Sequence, residues 1–303
     1  MLLPSASEFG PAWSEALFVG YGPDEGLLGT ASGGENLELG PDYGAQAPDG
    51  IWWFLDAAKR RLAHYSETGD YLGAVEMPSA YLAQGQYFQH QLPHVLDDGT
   101  LVAQRMSSDS TTLLLLEGSD LSTVGTSVGF TLKFDDGKWL YGFANQPNEG
   151  DVRVPARVDP HSGTVETVDW FETRAGSRFS LEVQGDHLML ALPDAPAAPA
   201  YDLRLAYAGD PSVSAYGSVE VTSAEDGTLF FYIVGGTDSG VGGQLAGFVS
   251  VAADGEISAV EPTPDPFTPA DPGSPAHLGI RPGTSVPWIM IVGADGVHVF
   301  RRG

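Results

Sequence analysis

A short turn followed at once by a strongly apolar strand recurs along this chain at intervals of about 40 to 50 residues. The turn is usually Asp-Gly, which suits a tight hairpin because glycine supplies a positive φ and aspartate can bond its own backbone. The copies are Asp49-Gly50 before IWWFLD, Asp98-Gly99 before TLVAQR, Asp136-Gly137 before KWLYGF, Gly185-Asp186 before HLMLAL, Asp226-Gly227 before TLFFYIV, and Ser285-Val286-Pro287 before WIMIVG. The repeat predicts an array of similar β units.

Each unit is predicted to contain four strands. One strand precedes the marker turn, the apolar strand follows it, and two less apolar strands come next, separated by a second turn. In the first unit Glu67 to Asp70 form that second turn. A nearly continuous apolar strand is typical of a strand buried on both faces between neighbouring blades. We therefore predict an all-β fold, a six-bladed β-propeller in one domain, residues 1–303. The expected blades are residues 37–81, 82–127, 128–175, 176–215, 216–260 and 275–303.

The last unit is one strand short, because the chain ends soon after Arg301. The segment Glu15 to Tyr21 reads as a strand with no repeat of its own. Pairing this strand with the last blade would close the ring and cover an open edge. The prolines of residues 261–276 rule out a central strand, so we expect a long loop across one face of the ring.

Composition agrees with a folded β protein of unusual acidity. Gly 39 and Pro 22 imply many turns and very little helix, and 42% hydrophobic residues suffice for a core. Asp and Glu number 40 against 14 Lys and Arg, a net charge of −26, which disfavours nucleic acid and anionic membranes as partners. The chain has no Cys, and therefore no disulfide or thiolate chemistry.

The amino-terminal residues and the lengths of the apolar runs are the features that bear on localisation. Residues 1–8 lack the basic leading segment of an intact signal peptide, and no stretch approaches the length of a membrane helix. We expect a secreted, periplasmic or cell-surface protein after removal of a leader, with a cytoplasmic location as the open alternative.

Residues 49–76 resemble an NHL repeat, whose pattern is a strand ending in Asp, a short turn, then Arg, an aliphatic residue, an aromatic residue and a Gly turn. Those positions are occupied here by Asp56, Arg61, Leu62, Tyr65 and Gly69. The resemblance implies a structural charge-assisted hydrogen bond between the Asp and the Arg. NHL propellers are commonly interaction platforms, and related six-bladed folds include lactonases with calcium or another divalent ion in the central channel.

The densest polar and aromatic cluster is QYFQHQLPH, which holds Tyr87, His90 and His94 and is expected on or beside the innermost strand of the second blade. Four residues in a strand span about 13 Å, so the two histidines cannot share one metal ion. His277 opens the innermost strand of the last blade and is expected to face the channel from another side. With Tyr43, these residues form the predicted ligand-binding set.

Calcium in the central channel is a possible cofactor, with Asp42, Asp109 and Asp271 as the metal candidates and Asp238 as a further one. No Asp-x-Asp-x-Asp-Gly calcium loop occurs. The paired acids 97–98 and 135–136 directly precede glycines, and we interpret them as turn formers.

No serine-hydrolase elbow of the form Gly-x-Ser-x-Gly is present. The sequence favours a monomeric, non-enzymatic binding platform that recognises a protein, peptide or carbohydrate through one propeller face. The alternative is a metal-dependent hydrolase or lactonase with its divalent ion in the channel. A third possibility is an accessory module of a larger surface assembly, so the sequence leaves enzyme or binding module open.

Overall fold

The chain folds into strands and turns, and the part that is described contains no helix. The computed structural model describes residues 2–3, 12–32, 38–39, 44–78, 90–106, 111–126, 128–145, 153–184, 187–195, 200–204, 206–207, 213–237, 245–262, 276–293 and 295–303. The loop expected at 261–276 falls almost entirely outside these residues. Within them, no helix could cross a membrane.

The strands follow one another with short connections. They are β1 (Leu2–Leu3), β2 (Trp13–Gly20), β3 (Ala31–Ser32), β4 (Glu38–Leu39), β5 (Gly44–Gln46), β6 (Trp52–Asp56), β7 (Arg61–Tyr65), β8 (Tyr71–Glu76), β9 (His90–Val95), β10 (Leu101–Met106), β11 (Thr111–Glu117), β12 (Asp120–Gly125), β13 (Phe130–Asp135), β14 (Leu140–Asn145), β15 (Arg153–Val158), β16 (Val165–Thr167), β17 (Phe171–Glu172), β18 (Arg178–Gln184), β19 (His187–Ala191), β20 (Ala200–Arg204), β21 (Ala206–Tyr207), β22 (Val213–Ser223), β23 (Leu229–Thr237), β24 (Leu245–Val251), β25 (Glu261–Pro262), β26 (Ala276–Ile280), β27 (Pro287–Val292) and β28 (Gly296–Arg302).

Six four-stranded antiparallel sheets form the ring, which confirms the predicted six-bladed propeller. Blades 1 to 4 are β5–β8, β9–β12, β13–β16 and β17–β20, blade 5 is β22–β25, and blade 6 combines β26–β28 with β2. The first strand of each blade is the innermost. Two further pairs, β1 with β21 and β3 with β4, lie outside the blades.

The Asp-Gly turns lie between the first and second strands of their blades. In blade 1, Gly50 has a φ of 92°, and Asp49 Oδ1 accepts a hydrogen bond from the Ile51 N–H at 3.0 Å. Asp98 and Asp226 accept the equivalent bond at 2.9 Å from residues 100 and 228. The acid fixes the turn and the glycine relieves the strain of the left-handed backbone.

In blade 4 the position of the marker turn and the first residue of the blade differ from the prediction. Its first strand is the two-residue β17, and its first turn is Thr173 to Ser177 with no Asp-Gly. The marker at 185–186 therefore joins the second and third strands, and this blade begins before residue 176. Because a two-residue strand carries no apolar run, the sequence pattern indicates the hairpin of the second and third strands in place of the first hairpin.

Ring closure by the N-terminal strand is confirmed. β2 pairs antiparallel with β28 from Trp13 opposite Arg302 to Gly20 opposite Gly296. Its inward side chains Trp13, Leu17 and Val19 are at most 5% exposed, whereas Phe18 between them is 47% exposed. This alternation is that of a strand with one face in the core.

A charged contact joins the same two strands. His298 Nδ1 lies 2.7 Å from Glu15 Oε1, and His298 Nε2 lies 3.0 Å from Asp295 Oδ1. Burial alone would lower the pKa of His298, but the hydrogen bonds to Asp295 and Glu15 outweigh it and raise that pKa. Because the folded pKa is raised, this contribution to closure is complete below the ordinary histidine pKa of about 6.5 and is lost as pH rises through the folded value.

The charged pair implied by the NHL resemblance is present. Arg61 Nε donates to Asp56 Oδ2 at 2.9 Å, and Asp56 is fully buried. Asp56 Oδ1 also accepts from the Gly29 N–H, and Arg61 donates to the Leu27 carbonyl at 2.7 Å. The pair therefore anchors the connection that leads from the closing strand β2 to blade 1.

Apolar clusters lie between neighbouring blades, and the described core has no single centre. One such cluster joins blades 1 and 2 through Leu55, Leu62, Leu101 and Leu116, and another joins blades 3, 4 and 5 through residues including Phe134. Each blade is thus held by packing on both of its faces.

The turns after the first and third strands of each blade emerge on the same face of the ring, which we call the turn face. Its described turns are residues 47–51, 66–70, 96–100, 118–119, 136–139, 159–164, 173–177, 192–195, 224–228, 252–256 and 281–286.

Deletion of residues 1–25 should abolish the single cooperative unfolding transition. It removes three buried side chains, each contributing about 1.5–3 kcal/mol, which together approach the net stability of about 5–15 kcal/mol typical of a domain. Thermal melts followed by circular dichroism measure the effect. Phe18→Ala on the same strand is the control and should shift the melting temperature little; an unchanged transition in the deletion variant would contradict the closure role of β2.

Candidate functional site

The innermost strands surround a central channel that opens toward the turn face. Its wall at this end mixes apolar side chains with a few polar ones. The lining residues are Ala45, Gln46, Pro93, His94, Val95, Lys133, Asp135, Arg174, Val221, Thr222, Leu278, Gly279, Ile280 and Trp288.

Arg174 lies at the turn-face end of this channel and is bound by acids from several blades. It extends from the first turn of blade 4, and its side chain is only 3% exposed. The guanidinium donates to Asp97 of blade 2 and to Asp135 of blade 3, and lies 3.8 Å from Glu225 of blade 5. One cation therefore links four blades.

His94 belongs to the same network, because its Nδ1 lies 2.7 Å from Asp135 Oδ2. Burial alone would raise the pKa of Asp135, but the Arg174 guanidinium and the hydrogen bond to His94 outweigh it and lower that pKa. Asp97 is more exposed, and its pKa is raised because burial outweighs the attraction of Arg174. Asp135 is thus the charged centre of the network.

A second polar group lies deeper along the innermost strands. Burial raises the pKa of Glu220 in β22, and the nearby charges of Lys133 in β13 and of His94 partly offset that rise. A buried carboxyl group with a raised pKa is a candidate for proton-transfer chemistry.

The channel is narrow where these groups meet. Its enclosed volume is about 30 Å³, enough for about two water molecules. Gln46 Oε1, Trp288 Nε1 and Arg174 Nε are buried there without a hydrogen-bond partner among the described residues. The Trp288 ring reaches this wall because Gly279 has no side chain, since a Cβ would come within 2.1 Å of it. Ordered water fits these three atoms, and a substrate does not fit this end of the channel.

A larger depression lies beside the channel, between blades 1 and 2 on the turn face. This blade 1–2 groove encloses about 390 Å³, within the range of ligand pockets. Its lining residues are Ala47, Pro48, Asp49, Ile51, Trp53, Asp97, Asp98, Gly99, Leu101, Leu116 and Gly118.

The turn face around the groove is strongly acidic. The acidic side chains of its described turns are Asp49, Glu67, Asp70, Asp97, Asp98, Asp136, Asp159, Asp194, Glu225, Asp226, Asp254 and Glu256. The cations of the same turns are Lys138, Arg174 and Arg281, and Arg281 is bound to the Pro48 carbonyl at 2.8 Å and to Glu67 at 3.4 Å. Since Arg174 is buried in its own network, most of these carboxylates have no basic partner within the turns.

The predicted site residues are only partly described. His94 lines the channel, His277 is buried in the innermost strand β26, and His90 lies in β9 with its side chain outside the described part. Tyr43, Tyr87, Asp42, Asp109, Asp238 and Asp271 lie outside the described residues. Among the residues that are described, no three His, Asp or Glu side chains are grouped to hold a metal ion.

The turn-forming interpretation of the paired acids is confirmed for Asp98 and Asp136, whose Oδ1 atoms accept N–H groups two residues on. Their partners 97 and 135 have a second role that the sequence did not indicate, as ligands of Arg174. An isolated Arg in an otherwise uncharged turn of an acidic protein was the one available signal.

The chain resembles one protein family in sequence and several solved structures in fold. The family model for a domain of unknown function, DUF7485, matches residues 11–302. No curated protein matches the chain.

Among solved structures, a structural genomics protein of unknown function from Bacteroides thetaiotaomicron has a TM-score of 0.50 at 11% identity, covering 95% of this chain and 75% of that one. The calcium-binding protein regucalcin from Agrobacterium tumefaciens gives 0.47 at 12% identity, covering 86% and 89%. A virginiamycin B lyase from Staphylococcus aureus gives 0.42 at 10% identity, covering 90% and 79%. At these identities the similarity concerns the fold alone.

Replacing Arg174 by Gln should destabilise the protein by about 3–5 kcal/mol, because Asp135 would keep its buried charge without the guanidinium. In the wild type the depressed pKa of Asp135 contributes stability above the unfolded value of about 3.9, and that stability is lost as pH falls through the folded pKa. In the variant, burial would raise this pKa, so protonation relieves the penalty and the difference from wild type shrinks at acid pH.

Urea unfolding at pH 7 and pH 4 measures both effects. The control is Arg178→Gln, which breaks an exposed ion pair with Asp194 and should change stability little. Equal losses for both variants, or a loss at position 174 that is the same at both pH values, would contradict a buried charge network.

Proposed function

The chain belongs to the DUF7485 family, and we propose that it is a non-enzymatic binding platform whose turn face recognises a positively charged protein or peptide. The observation that carries this proposal is the acidic turn face, where the carboxylates greatly outnumber the basic side chains available to them.

Two of the three cations in these turns are already engaged inside the fold. Arg174 is buried among Asp97 and Asp135, and Arg281 bonds to Pro48 and Glu67. Lys138 is the remaining exposed one. Carboxylates such as Asp98, Asp226 and Asp254 are exposed and contribute to a negative potential over the ring.

Such a potential favours a basic partner in two ways. It raises the rate of encounter with a positively charged surface, and it disfavours acidic competitors by like-charge repulsion. A folded partner suits the geometry, because the acidic turns are spread over several blades and are not gathered at one point.

The narrow channel supports recognition on the face over chemistry inside the ring. About 30 Å³ at this end leaves no room for a substrate, while the adjoining blade 1–2 groove offers about 390 Å³. A peptide or a protein loop would therefore make its contacts on the turns. A carbohydrate ligand, an extracytoplasmic location and a monomeric state remain predictions from the sequence.

Neutralising the turn face should weaken binding of a basic probe about tenfold at low salt. The variant combines Asp49→Asn, Asp98→Asn and Asp226→Asn, which keep the Oδ1 acceptors of the turns and remove three charges. Binding of poly-L-lysine is measured by calorimetry at several salt concentrations, because screening should weaken the wild-type affinity as well.

The matched control removes the same number of charges from exposed acids elsewhere, with Glu25→Gln, Glu76→Gln and Glu182→Gln. The proposal expects little change for this control. Equal weakening by both sets would show attraction to net charge alone, and no binding at low salt would reject the platform.

The metal-dependent hydrolase remains the alternative, with calcium as its proposed ion. Its Asp candidates 42, 109 and 271 lie outside the described residues, and Glu220, whose pKa is raised by burial, is the group that would serve proton transfer. If calcium binds in the channel, titration with calcium should raise the melting temperature by mass action. Magnesium is the control ion, and an unchanged melting temperature up to millimolar calcium would reject this alternative.

A further inference from the structure

We infer that the blade 1–2 groove is a specific docking site for a peptide segment that presents a lysine or arginine side chain next to an apolar one. The inference rests on the proposed function and adds the position and the chemistry of the contact.

The floor of the groove is apolar. Leu101 and Leu116 are each 2% exposed and belong to the core cluster between blades 1 and 2, while Ile51 and Trp53 pack against that cluster and remain half-buried. An apolar side chain placed here would extend a core that is already packed, and each methylene removed from water would contribute to binding.

The rim of the groove is acidic. Asp49 and Asp98 are exposed, and each uses one carboxylate oxygen for its own turn, to Ile51 N at 3.0 Å and Thr100 N at 2.9 Å. The carboxylate of Asp97 accepts a hydrogen bond from the Arg174 guanidinium. Asp49 and Asp98 thus line the groove from two neighbouring blades, and both carboxylates would attract an ammonium or guanidinium group that enters it.

Trp53 adds a second attraction for a cation. His64 covers the indole ring at a centroid distance of 4.5 Å, and burial lowers the pKa of His64. The imidazole is therefore neutral near pH 7 and does not compete for the negative face of the indole. A cation that reaches the exposed part of the ring gains a cation–π contact.

The side of the groove is open, which favours a chain over a compact small molecule. Gly99 and Gly118 both line it, and a Cβ added to either would meet no atom within 4 Å. An extended peptide can pass over these two turns while its side chains enter the groove. The surrounding acids of the turn face would attract further basic residues of the same partner.

The probe is the peptide acetyl-Gly-Leu-Lys-Leu-Gly-amide, titrated at low salt while tryptophan fluorescence is followed. The Nε2 atom of the exposed His161 lies 3.8 Å from Asp98 Oδ2 at this rim. Replacing the lysine of the peptide by norleucine, or both leucines by alanine, should each weaken binding at least threefold.

Two groove variants have matched controls elsewhere on the turn face. Asp98→Asn should weaken the probe about twofold to fivefold, the range of one exposed ion pair, whereas Asp226→Asn, in the same kind of turn of blade 5, should not. Gly118→Asn adds a side chain at a φ of 62°, which asparagine tolerates, and should obstruct the groove. Gly176→Asn, at a φ of 80° in blade 4 with equally open surroundings, should leave binding unchanged.

The outcomes separate this inference from the platform on which it rests. Binding that is lost equally in the Asp98 and Asp226 variants, or unaffected by Gly118→Asn, rejects the groove and leaves the acidic face as the binding surface. Failure of the peptide while poly-L-lysine still binds also rejects the groove alone, and failure of both rejects the platform. Butylammonium binding as tightly as the peptide would overturn the peptide occupant in favour of a small amine.

Discussion

Every blade of this ring buries apolar side chains on both of its faces, so each blade needs two neighbours. The clusters that join blades 1 and 2 and blades 3, 4 and 5 are of this kind, and none of them would be complete in an isolated sheet. A single missing contact leaves two large apolar faces in water. This is why the pairing of β2 with β28 matters more to the fold than an ordinary edge strand would.

The Arg174 network compensates for the weakest element of that ring. The innermost strand of blade 4 is only two residues long, and the innermost strands of blades 3 and 5 contact each other directly. Arg174 follows this short strand and connects to Asp97, Asp135 and Glu225 on three other blades. This buried cation joins the neighbouring blades at the place where a longer strand would pack, and it lines the turn-face end of the channel.

The fold could be predicted because its sequence signal is local. The site could not be predicted, because its contacts join residues that are distant in the sequence. Asp-Gly turns and the apolar strands after them depend on neighbouring residues, so five of the six marker turns were assigned to the right hairpin; in blade 4 the two-residue strand gave no pattern to read. Arg174 is separated from Asp97 by 77 residues and from Asp135 by 39, and nothing local indicates that they meet. The sequence predicts His94 at the channel, but it indicates only a turn-forming role for its partner Asp135. The groove depends on two blades coming together and has no motif in the sequence.

The closing pair of strands also sets an order of events during synthesis. Glu15 in β2 contacts His298 in β28, across 283 residues. The ring can therefore be sealed only after residues 296–302 have left the ribosome, and until then blade 6 and blade 1 each present an uncovered side. Folding dominated by such distant contacts is slow. The net negative charge of the chain then also acts during folding, because repulsion between like-charged chains opposes the association of incomplete rings through their open sides.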